Sequence, residues 1–198
     1  MAVARRRLER EDRRRQLVEL GLDMLSRRPR ELVAIDRIAE VAGISRGLLF
    51  HYFPTKRDYH VAVVEAACAR LLERTEPDLG LPPEQRLRQS LEAYLDFMSA
   101  NQELYRALIR GALGADPELE RIFNETREAI VARVLLYLGL EDPPALLRAS
   151  LLGWVGFVEE STLDWLRRGD LEREGLVELQ GRLLEEAVTA AGVQIPPA

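Results

Sequence analysis

Residues 35–59 read IDRIAEVAGISRGLLFHYFPTKRDY, and this stretch decides the fold. Ile35 to Ala42 predicts a short helix with Ile35, Ile38, Ala39 and Ala42 turned inward. Gly43 is a stop signal, because a helix end often needs the left-handed backbone that glycine adopts at little cost. Ser45 can cap a second short helix, which Pro54 ends. Basic and hydroxyl groups interrupt the apolar residues, so the segment needs one packed face and one face that touches something charged. Two short helices around a tight turn make a helix-turn-helix unit.

In such a unit the first helix packs across the second and aims its N-terminal side chains into a DNA major groove. Ile38, Ala39, Ile44 and Leu49 are expected to form the shared core. Ser45, Arg46, Gly47 and Leu48 then face outward. An arginine pairs bidentately with guanine, and a leucine touches a thymine methyl. Gly47 allows close approach of the backbone to the groove. Tyr52 and Lys56, the only lysine of the chain, lie just beyond and suit phosphate oxygens.

The charge distribution points the same way. The chain has 28 basic and 33 acidic residues, a net charge of -5. Residues 1–60 nevertheless hold 14 basic against 9 acidic residues, and the remainder holds 14 against 24. Such asymmetry fits a polyanion-binding end attached to a differently employed body. Cys68 is the single cysteine, so no intramolecular disulfide forms and a reducing compartment is expected. The basic N-terminus is followed by no apolar stretch of signal-peptide type, and no segment reads as long enough to span a bilayer. The expectation is a soluble, cytoplasmic, nucleoid-associated protein.

Periodicity elsewhere is helical. Arg10 to Arg28 carries Leu17, Leu20, Gly21, Met24 and Leu25 on one face, and Pro29 closes it. A long helix is expected from Asp58 to the breakers Pro77, Gly80, Pro82 and Pro83. Further helices are expected at Pro83–Ala100, Leu104–Leu113, Glu118–Leu138, Pro144–Arg168 and Leu171–Ala191. The fold class is all-α with about nine helices. A three-helix DNA-binding domain is placed at residues 10–71, its helix-turn-helix at about 34–53, and a C-terminal body at 72–198.

The motif residues now carry a family resemblance. Ile38-Ala39, Ala42-Gly43-Ile44-Ser45, Leu49, Tyr52-Phe53 and Lys56 resemble the DNA-binding signature of the tetracycline-repressor (TetR) family of transcriptional regulators. The resemblance implies contacts to double-stranded operator DNA, in palindromic half-sites, through Ser45, Arg46, Gly47, Leu48, Phe50, His51, Tyr52 and Lys56. It departs from the family pattern at Ala34, where a capping threonine is common, with Asp36 as the replacement cap. It departs again at Phe50, where tyrosine is common. Arg5 to Arg15 is expected to reach phosphates or the minor groove.

The resemblance further implies a homodimer and a ligand-responsive regulator, expected to be a repressor that a small-molecule effector releases from its operator. Residues 145–158, ALLRASLLGWVGFV, are apolar almost all round, as in a helix buried on several sides. Ala149, Gly153 and Gly156 form a small-residue strip on it. With Leu176, Leu179 and Leu183 of the last helix they would form an intersubunit four-helix bundle. Tyr94, Phe97, Met98, Tyr105, Phe123, Trp154 and Phe157 could line an effector cavity, although aromatic stripes also build plain core.

An enzyme is the rival class, and the residues argue against it. Cys68 and His60 lie eight positions apart, too far to share a hydrogen bond on one helix. Two histidines and one cysteine, without close spacing, make no metal site. There is no Gly-rich phosphate loop, and no cofactor is expected. An architectural DNA-binding protein without an effector differs only in lacking a usable cavity.

Overall fold

The computed structural model describes residues 10–27, 35–102 and 116–193. Among them are eight helices and no strand: α1 (Arg10–Arg27), α2 (Ile35–Val41), α3 (Arg46–Tyr52), α4 (Lys56–Arg74), α5 (Pro83–Ala100), α6 (Pro117–Tyr137), α7 (Ala145–Arg168) and α8 (Arg173–Ala190). The helix expected at Leu104–Leu113 lies outside the described residues, as do Ala34, Tyr105 and the first nine residues.

The described residues form two compact units. One comprises residues up to Ala67 together with 116–119, the other Cys68–Gln102 together with 120 onward. In the first unit Leu17, Val18, Leu22 and Met24 of α1 are buried, as are Ile35, Ile38 and Ala39 of α2, Leu49 of α3, and Tyr59, Val63 and Val64 of α4. The buried face of α1 therefore turns further toward Val18 and Leu22 than the sequence spacing implied. Gly21 permits α1 to approach α4 closely: a Cβ there would lie 2.5 Å from the Tyr59 hydroxyl and 2.6 Å from Val63 Cγ2. The same hydroxyl, buried, donates to the Leu17 carbonyl at 3.0 Å. Burial raises the Tyr59 phenol above its ordinary pKa, so it stays a donor at any physiological pH.

Helix α4 starts two residues earlier than expected, and a reciprocal cap explains it. The Thr55 amide donates to Asp58 Oδ2 at 2.9 Å, while the Asp58 amide donates to Thr55 Oγ1 at 3.1 Å. Each side chain satisfies a backbone donor that the first turn would otherwise leave without a partner.

In the second unit α7 packs along α8, and α5 packs against both. Leu91, Leu95 and Met98 of α5, Leu147, Leu151, Val155 and Val158 of α7, and Leu176, Val177, Leu184 and Val188 of α8 are buried. A polar residue also enters this apolar packing. Gln180, fully buried, donates from Nε2 to Ser161 Oγ at 3.0 Å and Thr162 Oγ1 at 3.2 Å. Its backbone carbonyl accepts from Trp154 Nε1 at 2.8 Å. Gly169, at φ 66, ends α7 in the left-handed conformation.

Candidate DNA-reading surface

The turn between α2 and α3 is fixed by backbone bonds. Gly43 adopts φ 64, its amide bonds the Glu40 carbonyl at 3.0 Å, and the Ile44 amide bonds the Ala39 carbonyl at 2.9 Å. This is the paired closure of a helix end around a left-handed glycine. Two residues later Ser45 caps α3 with extended backbone, its Oγ accepting from the Leu48 amide at 3.1 Å. Four residues, 42–45, connect α2 to α3, and the two caps leave no slack in the turn.

Beneath the turn Ile38 and Leu49 are fully buried, and Phe53 closes the far end of α3 at 2% exposure. Phe53 stacks edge-on against Tyr59, with ring centroids 5.0 Å apart, and the Arg14 guanidinium lies 5.2 Å from its centroid. A cation over a ring face is attracted by the ring's quadrupole, so α1 supplies a charged lid to this small core. Ser45, Arg46, Gly47 and Leu48, expected outward, are exposed, as is His51, whereas Phe50, Tyr52 and Lys56 are half-buried. Leu48 keeps 39% exposure, an apolar side chain held in water at the first turn.

Asp36 is not the cap expected of it. It is the second residue of α2, inside the helix, and its Oδ1 lies 3.0 Å from Arg46 Nε. Arg57, next to Lys56, is also engaged: its Nε and Nη2 bond the two oxygens of Asp116 at 2.5 and 2.6 Å. Asp116 also accepts from the Glu118 amide at 2.9 Å. The Arg57 bond, first of all, holds the Asp116 carboxyl below its ordinary pKa, and Asp116 in turn raises Arg57. Lys56 and Arg57 thus differ in role, although the sequence sets them side by side.

Within the second unit, Tyr94, Phe97, Met98 and Trp154 are buried, and Phe123 and Phe157 half-buried. Arg127 and Glu159 bond each other: Nη2 reaches Glu159 Oε2 at 2.8 Å and Nε reaches Oε1 at 3.0 Å. Leu176 is buried, and Leu179 and Leu183 are half-buried. Helix α7 is buried on one side only within a single chain. Leu147, Leu151 and Val155 point inward, whereas Ala149 and Gly153 are exposed. Among the described residues, a Cβ at Gly153 or Gly156 would meet nothing within 4 Å.

An all-helical chain that presents the capped first turn of a second helix over a closed core is a helix-turn-helix DNA-binding protein. Residues 17–59 match the family model of bacterial regulatory proteins of the tetR family, and residues 83–186 match the tetracyclin repressor-like C-terminal domain. The chain belongs to the TetR family of transcriptional regulators, and it is a regulator rather than an enzyme. It is 31% identical to a tetR-family transcriptional regulator from Streptomyces coelicolor of known structure, with a TM-score of 0.77 over 90% of this chain and 80% of that one. It is 25% identical to the HTH-type transcriptional activator FasR of Mycolicibacterium smegmatis, over 87% of this chain and 81% of FasR. It is 28% identical to the transcriptional regulator AcuR of Cereibacter sphaeroides, over 75% of each. No described helix is long and apolar enough to cross a membrane.

Proposed function

We propose that the protein is a homodimeric, cytoplasmic repressor that a small-molecule effector releases from a palindromic operator. The observation that carries the reading is the first turn of α3. It exposes Ser45, Arg46, Gly47 and Leu48 over a core in which Ile38 and Leu49 are fully buried. In this reading residues 10–71 read DNA and residues 72–198 dimerise and bind effector. Arg46 and Leu48 contact base edges, with Gly47 between them against the groove wall. Ser45, Phe50, His51, Tyr52 and Lys56 meet sugar and phosphate. The strip of Ala149 and Gly153, both exposed, and Gly156, half-buried, supports pairing of α7 and α8 with their copies. Aromatic residues on α5, α6 and α7, Phe97, Phe123 and Trp154 among them, support an apolar or amphipathic effector.

The test uses an operator duplex selected by the protein from a random pool. Arg46→Ala should lower specific affinity by roughly 1–3 kcal/mol and relax one base preference. Lys56→Ala should weaken all sequences alike and flatten the salt dependence. Wild-type affinity in both variants would remove α3 from the groove. For the effector, hundredfold release requires about 2.7 kcal/mol of differential affinity, and operator DNA must weaken effector binding by the same factor. The relative FasR is named an activator. Transcription in vitro from a promoter carrying the selected duplex decides the sign: transcript falls as the protein is added if it represses, and rises if it activates.

A further inference from the structure

Arg46 is the one strongly base-competent side chain on the exposed turn, and an acid from the neighbouring helix holds it. Asp36 Oδ1 lies 3.0 Å from Arg46 Nε, with the two side chains 67% and 62% exposed. Between residues this exposed an ion pair adds little to folding. A carboxylate beside a DNA-reading turn also opposes binding to phosphates, whatever the sequence. An acid in the first turn of α2 favours that helix's N-terminus, but that role needs no contact with Arg46, and general affinity for DNA is better without it.

We propose that Asp36 is a positioning residue that sets base discrimination by Arg46 at the expense of general affinity. This rests on α3 being the reading helix. The guanidinium is a rigid planar fork, so an acceptor on Nε fixes the rotation of the whole plane. The edge formed by Nη1 and Nη2 is then aimed before DNA arrives, and it is this end-on edge that can span guanine O6 and N7. Arginine otherwise surrenders considerable rotamer freedom on binding, and a side chain held in advance surrenders less. The same carboxylate repels the backbone of every duplex. It thereby lowers the non-specific background against which the operator competes.

Two readouts separate this role from a merely structural one. Fluorescence anisotropy measures affinity for the selected operator duplex and for a scrambled duplex of equal length, and the ratio is the discrimination. Asp36→Ala should tighten binding to the scrambled duplex. It should lower the ratio about tenfold, inside the roughly 5- to 150-fold that a bidentate arginine–guanine pair supplies. Asp36→Asn, which keeps the shape and removes the charge, should tighten scrambled binding equally and lower the ratio less. In an Arg46→Ala background, Asp36→Ala should leave the ratio where Arg46→Ala has put it. Thermal melts matching the wild type confirm that the variants are folded. An unchanged ratio in Asp36→Ala overturns the proposal, as does an equal drop in the Arg46→Ala background. If Arg46→Ala itself leaves the ratio intact, the reading helix is misplaced and the proposed function falls with it.

Discussion

Gly21 and Gly153 occupy the same kind of place in two different units, the interior of a long helix, yet their surroundings differ. Glycine there destabilises a helix by about 1 kcal/mol relative to alanine, so each needs a reason. For Gly21 the reason is inside the chain, because Tyr59 and Val63 of α4 already occupy the space of a side chain. For Gly153 nothing among the described residues comes within 4 Å of that space. The first glycine belongs to a finished contact. The second meets open space among the described residues, and this supports the proposed pairing of α7 with its copy.

The largest expected effect tests the finished contact. Gly21→Ala should destabilise the protein by about 1–3 kcal/mol in urea unfolding, since overpacking outweighs the gain in helix propensity. Adding Tyr59→Phe should recover part of that loss, because the nearest clashing atom is removed. Additive losses would mean that α1 shifts away from α4 rather than pressing on it.

A second expectation tests the open site. Gly153→Leu should weaken the dimer by roughly 1–3 kcal/mol in sedimentation while leaving helical content unchanged. Gly153→Ala sharpens the point. In the monomer, at high dilution, its methyl should stabilise the helix by up to about 1 kcal/mol. At concentrations where dimer forms, that gain should shrink or reverse. A gain independent of concentration would move the interface elsewhere.

The smallest effect compares two ion pairs. Asp116 bonds Arg57, 59 residues away in sequence, whereas Asp164 bonds Arg167 and Arg168 within α7. Both carboxyls are held below their ordinary pKa, chiefly by those arginine bonds. A depressed carboxyl contributes stability that is present above its unfolded pKa of about 3.9 and is lost as pH falls through the folded value. Asp116→Asn should therefore flatten the acid limb of the first unit's unfolding curve. Asp164→Asn should change only local helix fraying, read by amide exchange. Identical acid limbs in wild type and Asp116→Asn would show that the Arg57 bond adds nothing in solution.

The helix-turn-helix was legible because its signals are local. Gly43 and Ser45 act within four residues of themselves, and both caps form where the sequence places them. The Thr55–Asp58 cap was equally local and could have fixed the start of α4, since threonine followed three residues later by an acid is the pattern of such a cap. The pair of Asp36 and Arg46 was beyond reach. Ten residues and a turn separate them, and only the crossing of α2 over α3 brings them together. Gln180 was hidden for a different reason. It interrupts the stripe of Leu176, Leu184 and Val188 and would read as a surface residue, but in the interior Ser161 and Thr162 of α7 accept from its amide nitrogen.

Lys56 has a practical consequence. It carries the only ε-amino group in the sequence, and it stands half-buried at the first residue of α4, just past the end of α3. Arginines, which amine-directed acylating reagents leave untouched, supply every other basic side chain except the two histidines. Apart from the α-amine, such a reagent therefore has a single address on this protein. The rate of acylation there becomes a clock for occupancy: a bound duplex that covers Lys56 should slow it, and an effector that ejects the duplex should restore it.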